Sequence, residues 1–248
     1  MAHPYLDTYE VGYEKLGMRQ ARFTIDGRDE MAESTGRGES VLRTGYHHGY
    51  LSDALIDMAI AKIAESGMEK LSLRALAREA GVSSTAPYRH FSSRESLLAA
   101  IATRGFRTLT DKLDRSLASG TSFEAQFIAM GMAYIKHAVD DPVSYHLMFG
   151  EMAGSGKYAD LSAAADDCFA RLLQTLEINA PLAHLEVTSL ELSAAVWAGV
   201  HGIASLLVTV LHHPREGRPD SQAGRALAAL AADPERALRL LFVQWFPD

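Results

Sequence analysis

A chain of 248 residues, 48% hydrophobic and 22% charged, is long enough for one or two globular units with a sizeable core. Its net charge of -7 excludes a protein that coats nucleic acid along its whole surface, because such binding sums many phosphate neutralisations. A single cysteine, Cys168, excludes an intramolecular disulfide and a cysteine-based structural zinc site, and fits a reducing, cytoplasmic setting.

Residues 1–45 scatter glycines among mixed charges with no apolar period that could bury a face, so they are expected to form a flexible arm. The segment has none of the basic stretch and apolar run of a secretory leader. Arg37 and Arg43 could follow a neighbouring minor groove, as basic arms do in some DNA-binding proteins. The pattern changes at Leu51, where Leu51, Leu55, Ala59 and Ile63 lie four apart with Ile56 and Ile60 beside them. This predicts a first helix that stops at Ser66 and Gly67. A second helix is marked by Leu73, Leu76, Ala77 and Ala80, with Ser72 as its N-cap and Gly81 as the left-handed residue after it. A third, short helix is expected from Ser84 to His90, capped by Ser83, with Pro87 tolerated in its first turn and Phe91 anchoring its end.

Two short helices meeting at Gly81-Val82-Ser83 have the layout of a helix-turn-helix, a module whose second helix enters the major groove. Residues 46–95 are charge-balanced, so this is the least acidic part of the chain. Ser93 then caps a long helix through Leu97, Leu98, Ile101, Phe106, Leu109 and Leu113. Downstream, helices are expected over Phe123–Val139, Pro142–Phe149, Ser162–Leu176, Ala183–Leu211 and Asp233–Trp245. Breaks fall at Asp140-Asp141-Pro142, Gly154–Gly156, Asn179-Ala180-Pro181 and His213–Pro219. No stretch alternates as a strand would, and the fold class is all-α.

Ala59, Gly67, Leu73, Leu76, Ala77, Ala80, Gly81 and Val82, followed by Tyr88, His90, Phe91, Arg94, Leu97 and Leu98, resemble the N-terminal domain of the TetR family of bacterial transcriptional regulators. Trp197, His201 and Gly202, with Tyr145, Leu147, Met148, Phe149 and Gly150, resemble a subgroup with a tryptophan-histidine-glycine C-terminal domain. The resemblance implies three parts: an arm (1–45), a three-helix DNA-binding domain (46–106) and a helical regulatory and dimerisation domain (107–248). The arm is long for the family.

On this resemblance Ser84, Thr85 and Ala86 are the candidates for base edges, since hydroxyls pair with several bases and a methyl can touch thymine. Tyr88 and His90 are expected on phosphates, and Arg89 on phosphate or guanine. Ser72 and Arg94 stand at helix N-termini that favour phosphate. A palindromic, double-stranded operator calls for a homodimer. The uncharged run Leu192–Leu211, with the small residues Ala195, Ala198, Gly199 and Gly202, is the candidate interface together with the last helix. That run is also long enough to cross a bilayer, but a buried helix is the simpler expectation, so no membrane is invoked.

Met130, Tyr134, His137, Tyr145, Phe149, Trp197 and His201 could line a pocket for an unknown apolar or amphipathic small-molecule effector. Each could equally be ordinary core, and His201 could hydrogen-bond within that core or orient a ligand. Catalysis is not expected. The histidines lack zinc-hydrolase spacing, and Asp166 and Asp167 beside Cys168 would raise its thiol pKa and oppose activation. Neither metal nor cofactor is expected. The sequence therefore points to a ligand-responsive regulator, most simply a repressor; the alternative is a helical ligand-binding or scaffold protein without DNA binding.

Overall fold

The structure, a computed structural model, describes residues 48–118, 121–180, 187–212 and 221–246. Every regular element among them is helical. In chain order these are α1 (His48–Ser66), α2 (Leu73–Glu79), α3 (Arg94–Leu117), α4 (Phe123–Asp140), α5 (Pro142–Met148), α6 (Ala159–Asn179), α7 (Ser189–His212), α8 (Gln222–Ala232) and α9 (Pro234–Trp245), with short 3-10 turns at Met68–Lys70 and Pro87–Arg89. The expected arm, with Arg37 and Arg43, lies outside the described residues.

The head is built from α1, α2 and the start of α3 around Leu55, Ala59, Leu76, Phe91, Leu97 and Ile101, all buried. Local chemistry sets its boundaries. Gly67 at φ 85° turns the chain out of α1, and Gly81 at φ 67° does so after α2; both angles lie where a Cβ is disfavoured. Ser72 Oγ accepts the Ala75 amide at 3.1 Å and starts α2. Ser93 and Ser96 cap α3 reciprocally, each side chain accepting the other's backbone amide, at 3.2 and 3.0 Å. The head is tied down by two long-range contacts. Arg104 pairs with Asp57 on α1 at 2.7 Å, and the Arg94 guanidinium donates to the Met68 carbonyl at 2.6 Å.

The third expected helix, Ser84–His90, is not an α-helix. Amides of Ala86, Tyr88, Arg89 and His90 bond carbonyls three residues back, at 3.0 to 3.2 Å, so the segment is a run of tight turns ending in the 3-10 turn. The physical reason is Pro87, which has no amide to continue an i to i-4 ladder onto Ser83. The Ser83 carbonyl is taken by Ala86 instead, and Ser83 Oγ faces Thr85 Oγ1 at 3.2 Å in place of capping a helix.

In the larger part, α3 packs against α4, α5 and α6, while α7 lies across α4 and α6. The last helix, α9, docks on α4 through Leu238, which is fully buried. Its isobutyl group lies 2.7 Å from where a Cβ on Gly131 would stand, so the two helices approach through that glycine. An edge-to-face cluster of Phe123, Phe127, Phe242 and Phe246, with centroids 4.8 to 6.0 Å apart, closes the same seam.

Three helices differ from the sequence expectation by more than a residue or two. Helix α7 begins at Ser189, because Thr188 and Glu191 form a capping box, with Glu191 Oε2 accepting the Thr188 amide at 2.8 Å and Thr188 Oγ1 accepting that of Glu191 at 3.2 Å; residues 181–186 lie outside the described set. Helix α6 extends a turn beyond Ser162–Leu176 at its N-terminal end and three residues beyond it at the other. Helix α8 was not anticipated, although Ser221 caps it by accepting the Gly224 amide at 3.1 Å and its alanine-rich sequence favours helix.

Because Leu238 has no exposure and fills the groove beside Gly131, truncating it leaves a cavity that neighbours fill only in part. Leu238→Ala is expected to lower the unfolding free energy by about 2–5 kcal/mol, read as an earlier urea midpoint at unchanged slope.

Candidate nucleic-acid interface and ligand cavity

The tight-turn segment divides its side chains sharply. Pro87 and Phe91 are buried, while Ser84, Thr85, Tyr88 and Arg89 are exposed. The polar set thus projects from a stiff base whose interior positions are pinned to the core. Ala86 is half-buried and packs against the core, so of the three expected base-reading residues Ser84 and Thr85 stand furthest out. His90 is half-buried with its ring 6.3 Å from that of Phe91.

Ser72 is exposed, and because its oxygen accepts a backbone amide its own hydroxyl proton remains available to a phosphate. The Arg94 side chain is engaged with the protein: besides its bond to Met68 it approaches Glu95 at 3.9 Å, and its Nε is buried without a partner among the described residues. Arg74 and Arg78, one turn apart on α2, are exposed cations that the sequence analysis passed over. Their i, i+4 spacing was the available signal.

A cavity of about 380 Å³ opens between α3, α4, α6 and α7. Phe106, Leu109 and Leu113 come from α3, Phe127, Met130 and Tyr134 from α4, Cys168, Phe169 and Leu172 from α6, and Val196, Trp197 and Val200 from α7. Of the sequence candidates, Met130, Tyr134, Phe149 and Trp197 line it. Those from α3 and α6 were missed, since leucine and phenylalanine at helical spacing look the same whether they face a cavity or solid core.

Tyr145 and His201 stand behind the wall. His201 Nδ1 meets the hydroxyls of Tyr134 at 2.8 Å and Tyr145 at 3.0 Å, Tyr145 also reaches Ser205 Oγ at 2.9 Å, and Trp197 Nε1 donates to the Tyr134 oxygen at 3.3 Å. Burial raises the pKa of both phenols and lowers that of His201, so the network is neutral near pH 7. Cys168 is pushed up to about 11. The direction matches expectation, but the principal cause is burial, with Asp167 a lesser contributor and Asp166 absent from the causes.

His137 does not join the cavity wall. It is buried with Nδ1 3.4 Å from Lys112 Nζ, beside a chain of charges in which Lys112 and Lys136 approach Asp140 at 3.8 and 3.4 Å. Its Nε2 is buried without a partner among the described residues.

Comparison with known proteins places both parts. Residues 55–101 match the model for bacterial regulatory proteins of the tetR family, and residues 127–230 match that for a tetracyclin repressor-like C-terminal domain. A helix-turn-helix transcriptional regulator of Mycobacterium tuberculosis, Rv1816, is 32% identical over 98 residues, 39% of this chain and 42% of the relative. The chain therefore spans about two-fifths of the length of the curated relatives it matches. A protein of unknown function from Rhodococcus sp. RHA1 superposes with a TM-score of 0.62 at 27% identity, covering 79% of this chain and 97% of that one. The fatty acid degradation regulator FadR of Bacillus halodurans shares the fold with a TM-score of 0.57 at 15% identity, covering 75% and 93%.

Burial, then the neighbouring Lys112 ammonium, pushes the His137 imidazole down to about 4. Against an unfolded value of about 6.5, the native protein declines a proton that the unfolded chain accepts. This contribution to stability is intact above pH 6.5 and lost as pH falls toward 4, by up to roughly 3 kcal/mol. Urea unfolding at pH 7 and pH 5 should show a smaller drop for His137→Gln than for the native chain; equal drops would remove His137 as the cause.

Proposed function

The chain belongs to the tetR family of helix-turn-helix transcriptional regulators, and on that premise we propose that it is a ligand-responsive repressor that binds a palindromic operator as a homodimer in the cytoplasm. The observation that carries this is the continuity of α3, Arg94–Leu117. Its first turns hold the head through Arg94 and Arg104, and its later turns supply Phe106, Leu109 and Leu113 to the cavity wall. One rod of 24 residues, about 36 Å long, thus belongs to both.

In this function Ser84, Thr85 and Arg89 meet base edges or phosphates, and the half-buried Ala86 offers its methyl behind them. Tyr88 and His90 set the register on the backbone, Ser72 donates its hydroxyl to a phosphate, and Arg94 acts chiefly by fixing the start of α3. Arg74 and Arg78 add phosphate neutralisation. An effector in the cavity binds best to a dimer whose two heads are wrongly spaced for successive major grooves, so DNA affinity falls by population shift. Trp197, His201 and Gly202 support a reading of the C-terminal domain as one of the tryptophan-histidine-glycine subgroup.

The exposed side of α7 supports the dimer. Ala194, Ala195, Ala198, Gly202 and Leu206 are exposed along one stripe, and Leu240 and Val243 are 67% and 65% exposed on α9. An apolar patch of this kind favours burial against a second copy. Gly202 has open space around it, which suits close helix approach, whereas Gly199 is used within the chain, where a Cβ would lie 2.6 Å from the Trp245 ring. Helix α7 is long and apolar enough to span a membrane, but Val196, Ala204, Leu207 and Val208 of its inner side are buried in the protein.

Two measurements test this function. In a gel shift with DNA upstream of the protein's own gene, Tyr88→Phe combined with Arg89→Ala should weaken binding roughly 10- to 100-fold and reduce the log-log salt slope by about one; an unchanged shift overturns the docking. Sedimentation of Leu206→Glu should show monomer where the native chain is a dimer, with helicity retained.

A further inference from the structure

The cavity just described is lined by aromatic, aliphatic and sulfur side chains, and no lysine, arginine or histidine is among them. Its one formally charged neighbour, Asp166, is exposed to solvent. A buried anion would find no counter-charge there, and a buried cation would have to leave water for a carboxylate that keeps its own hydration. Two hydroxyl residues line it: Thr175, whose proton goes to the Arg171 carbonyl at 2.7 Å, and Tyr134, where the hydrogen-bond arithmetic is specific.

His201 Nδ1 can make one conventional hydrogen bond in either tautomer, yet two phenols stand within 3.0 Å of it. At most one phenolic proton can end there. Tyr145 has other acceptors, Ser205 Oγ at 2.9 Å and the His201 carbonyl at 3.4 Å. Besides His201, the Tyr134 hydroxyl meets Trp197 Nε1, which can only donate, and the Tyr145 oxygen, which can accept. If Tyr145 takes His201, the Tyr134 proton is free to turn from the Tyr145 oxygen to an acceptor in the cavity, and Ser205 still pairs with Tyr145. Both phenols stay protonated near neutral pH because burial disfavours the phenolate.

We propose that the cavity takes a neutral, mainly aromatic or aliphatic molecule carrying one carbonyl-type oxygen, which accepts the Tyr134 hydroxyl while its body lies against Phe106, Phe149, Phe169 and Trp197. Tyr145 is the positioning residue: by supplying a proton to His201 it frees that of Tyr134. This rests on the effector role proposed above and adds the chemical class of the ligand.

The full-length protein is titrated by calorimetry with four probes sharing one skeleton: 2-ethylnaphthalene, 2-acetylnaphthalene, 2-naphthoate and trimethyl(2-naphthyl)ammonium. The ketone should bind about three- to ten-fold more tightly than the hydrocarbon, the margin one neutral hydrogen bond supplies, and at least about ten-fold more tightly than either ion. Tyr134→Phe should bring ketone and hydrocarbon together while leaving the hydrocarbon's Kd unchanged, and Tyr145→Phe should narrow the ketone's margin.

The ranking on the native protein stands whether or not the variants fold. A naphthoate or ammonium ion that binds as well as the ketone, a ketone no better than the hydrocarbon, a margin that survives in folded Tyr134→Phe, or a set of probes that all fail to bind overturns the proposal. Operator release is assayed separately by gel shift. If the probes bind in the expected order while the DNA complex persists, the ligand class stands and the effector function falls.

Discussion

The structure depends on α3 remaining one uninterrupted rod through the junction between head and body. Its N-terminus is fixed by the Ser93–Ser96 box and by Arg94 on the Met68 carbonyl, and Leu97, Leu98, Ile101 and Ala102 are buried along its first three turns. At Gly105 the short helix α5 comes so close that a Cβ would stand 2.7 Å from Met148 Sδ. Met148 also lines the cavity, and α5 touches α1. A side chain larger than hydrogen at residue 105 would force Met148 to shift. Space in the cavity and the position of the head are therefore set by the same few contacts, and closely packed contacts of this sort shift between discrete arrangements more readily than they deform.

The segment 84–91 obeys a different constraint. A longer α-helix would present its polar face over several turns, whereas the run of tight turns here is short and stiff. Proline fixes φ at residue 87, Pro87 and Phe91 are pinned in the core, and the Phe91 amide closes onto the Pro87 carbonyl at 2.9 Å. Exposed Ser84, Thr85, Tyr88 and Arg89 are thus held by covalent and packing restraint in place of an extended helical ladder. Little backbone entropy would remain to be lost on docking, although the exposed side chains keep their rotamer freedom.

Much of this was legible in the sequence, for reasons that differ from element to element. Ser72, Gly81 and Ser93 have local chemistry that names their positions, and the structure places each as a cap or a left-handed turn. Leu55, Ala59, Leu76 and Leu97 declared themselves by helical spacing. The nature of the third element was not readable from periodicity, because it turns on which carbonyl each amide selects around Pro87. The Thr188–Glu191 box and the Ser221 cap depend on which amide each side chain meets, which residue type alone does not fix. At the cavity, composition pointed to the right helices without separating walls from solid core. His137 and Tyr134 have similar sequence surroundings, yet one faces Lys112 and the other the cavity. That difference is a matter of helix rotation, fixed only when α4 packs against α3 and α7 together.

Helix α7 divides its uncharged sequence between a buried and an exposed face. Its inner residues, Val196, Val200, Ala204 and Leu207 among them, are buried, nine of the twenty from Leu192 to Leu211. A single soluble chain would gain by placing charges on the outer half, since exposed apolar area carries no benefit in water. The outer half instead keeps Ala194, Ala195, Ala198, Gly202 and Leu206. Small residues on that face would pack poorly against lipid chains as isolated steps, but they let a second helix come close along its length. The same stripe lies beside Trp197 and His201, the residues that connect the outer face to the phenol network. The exposed apolar stripe and the wall of the cavity are therefore adjacent faces of one helix.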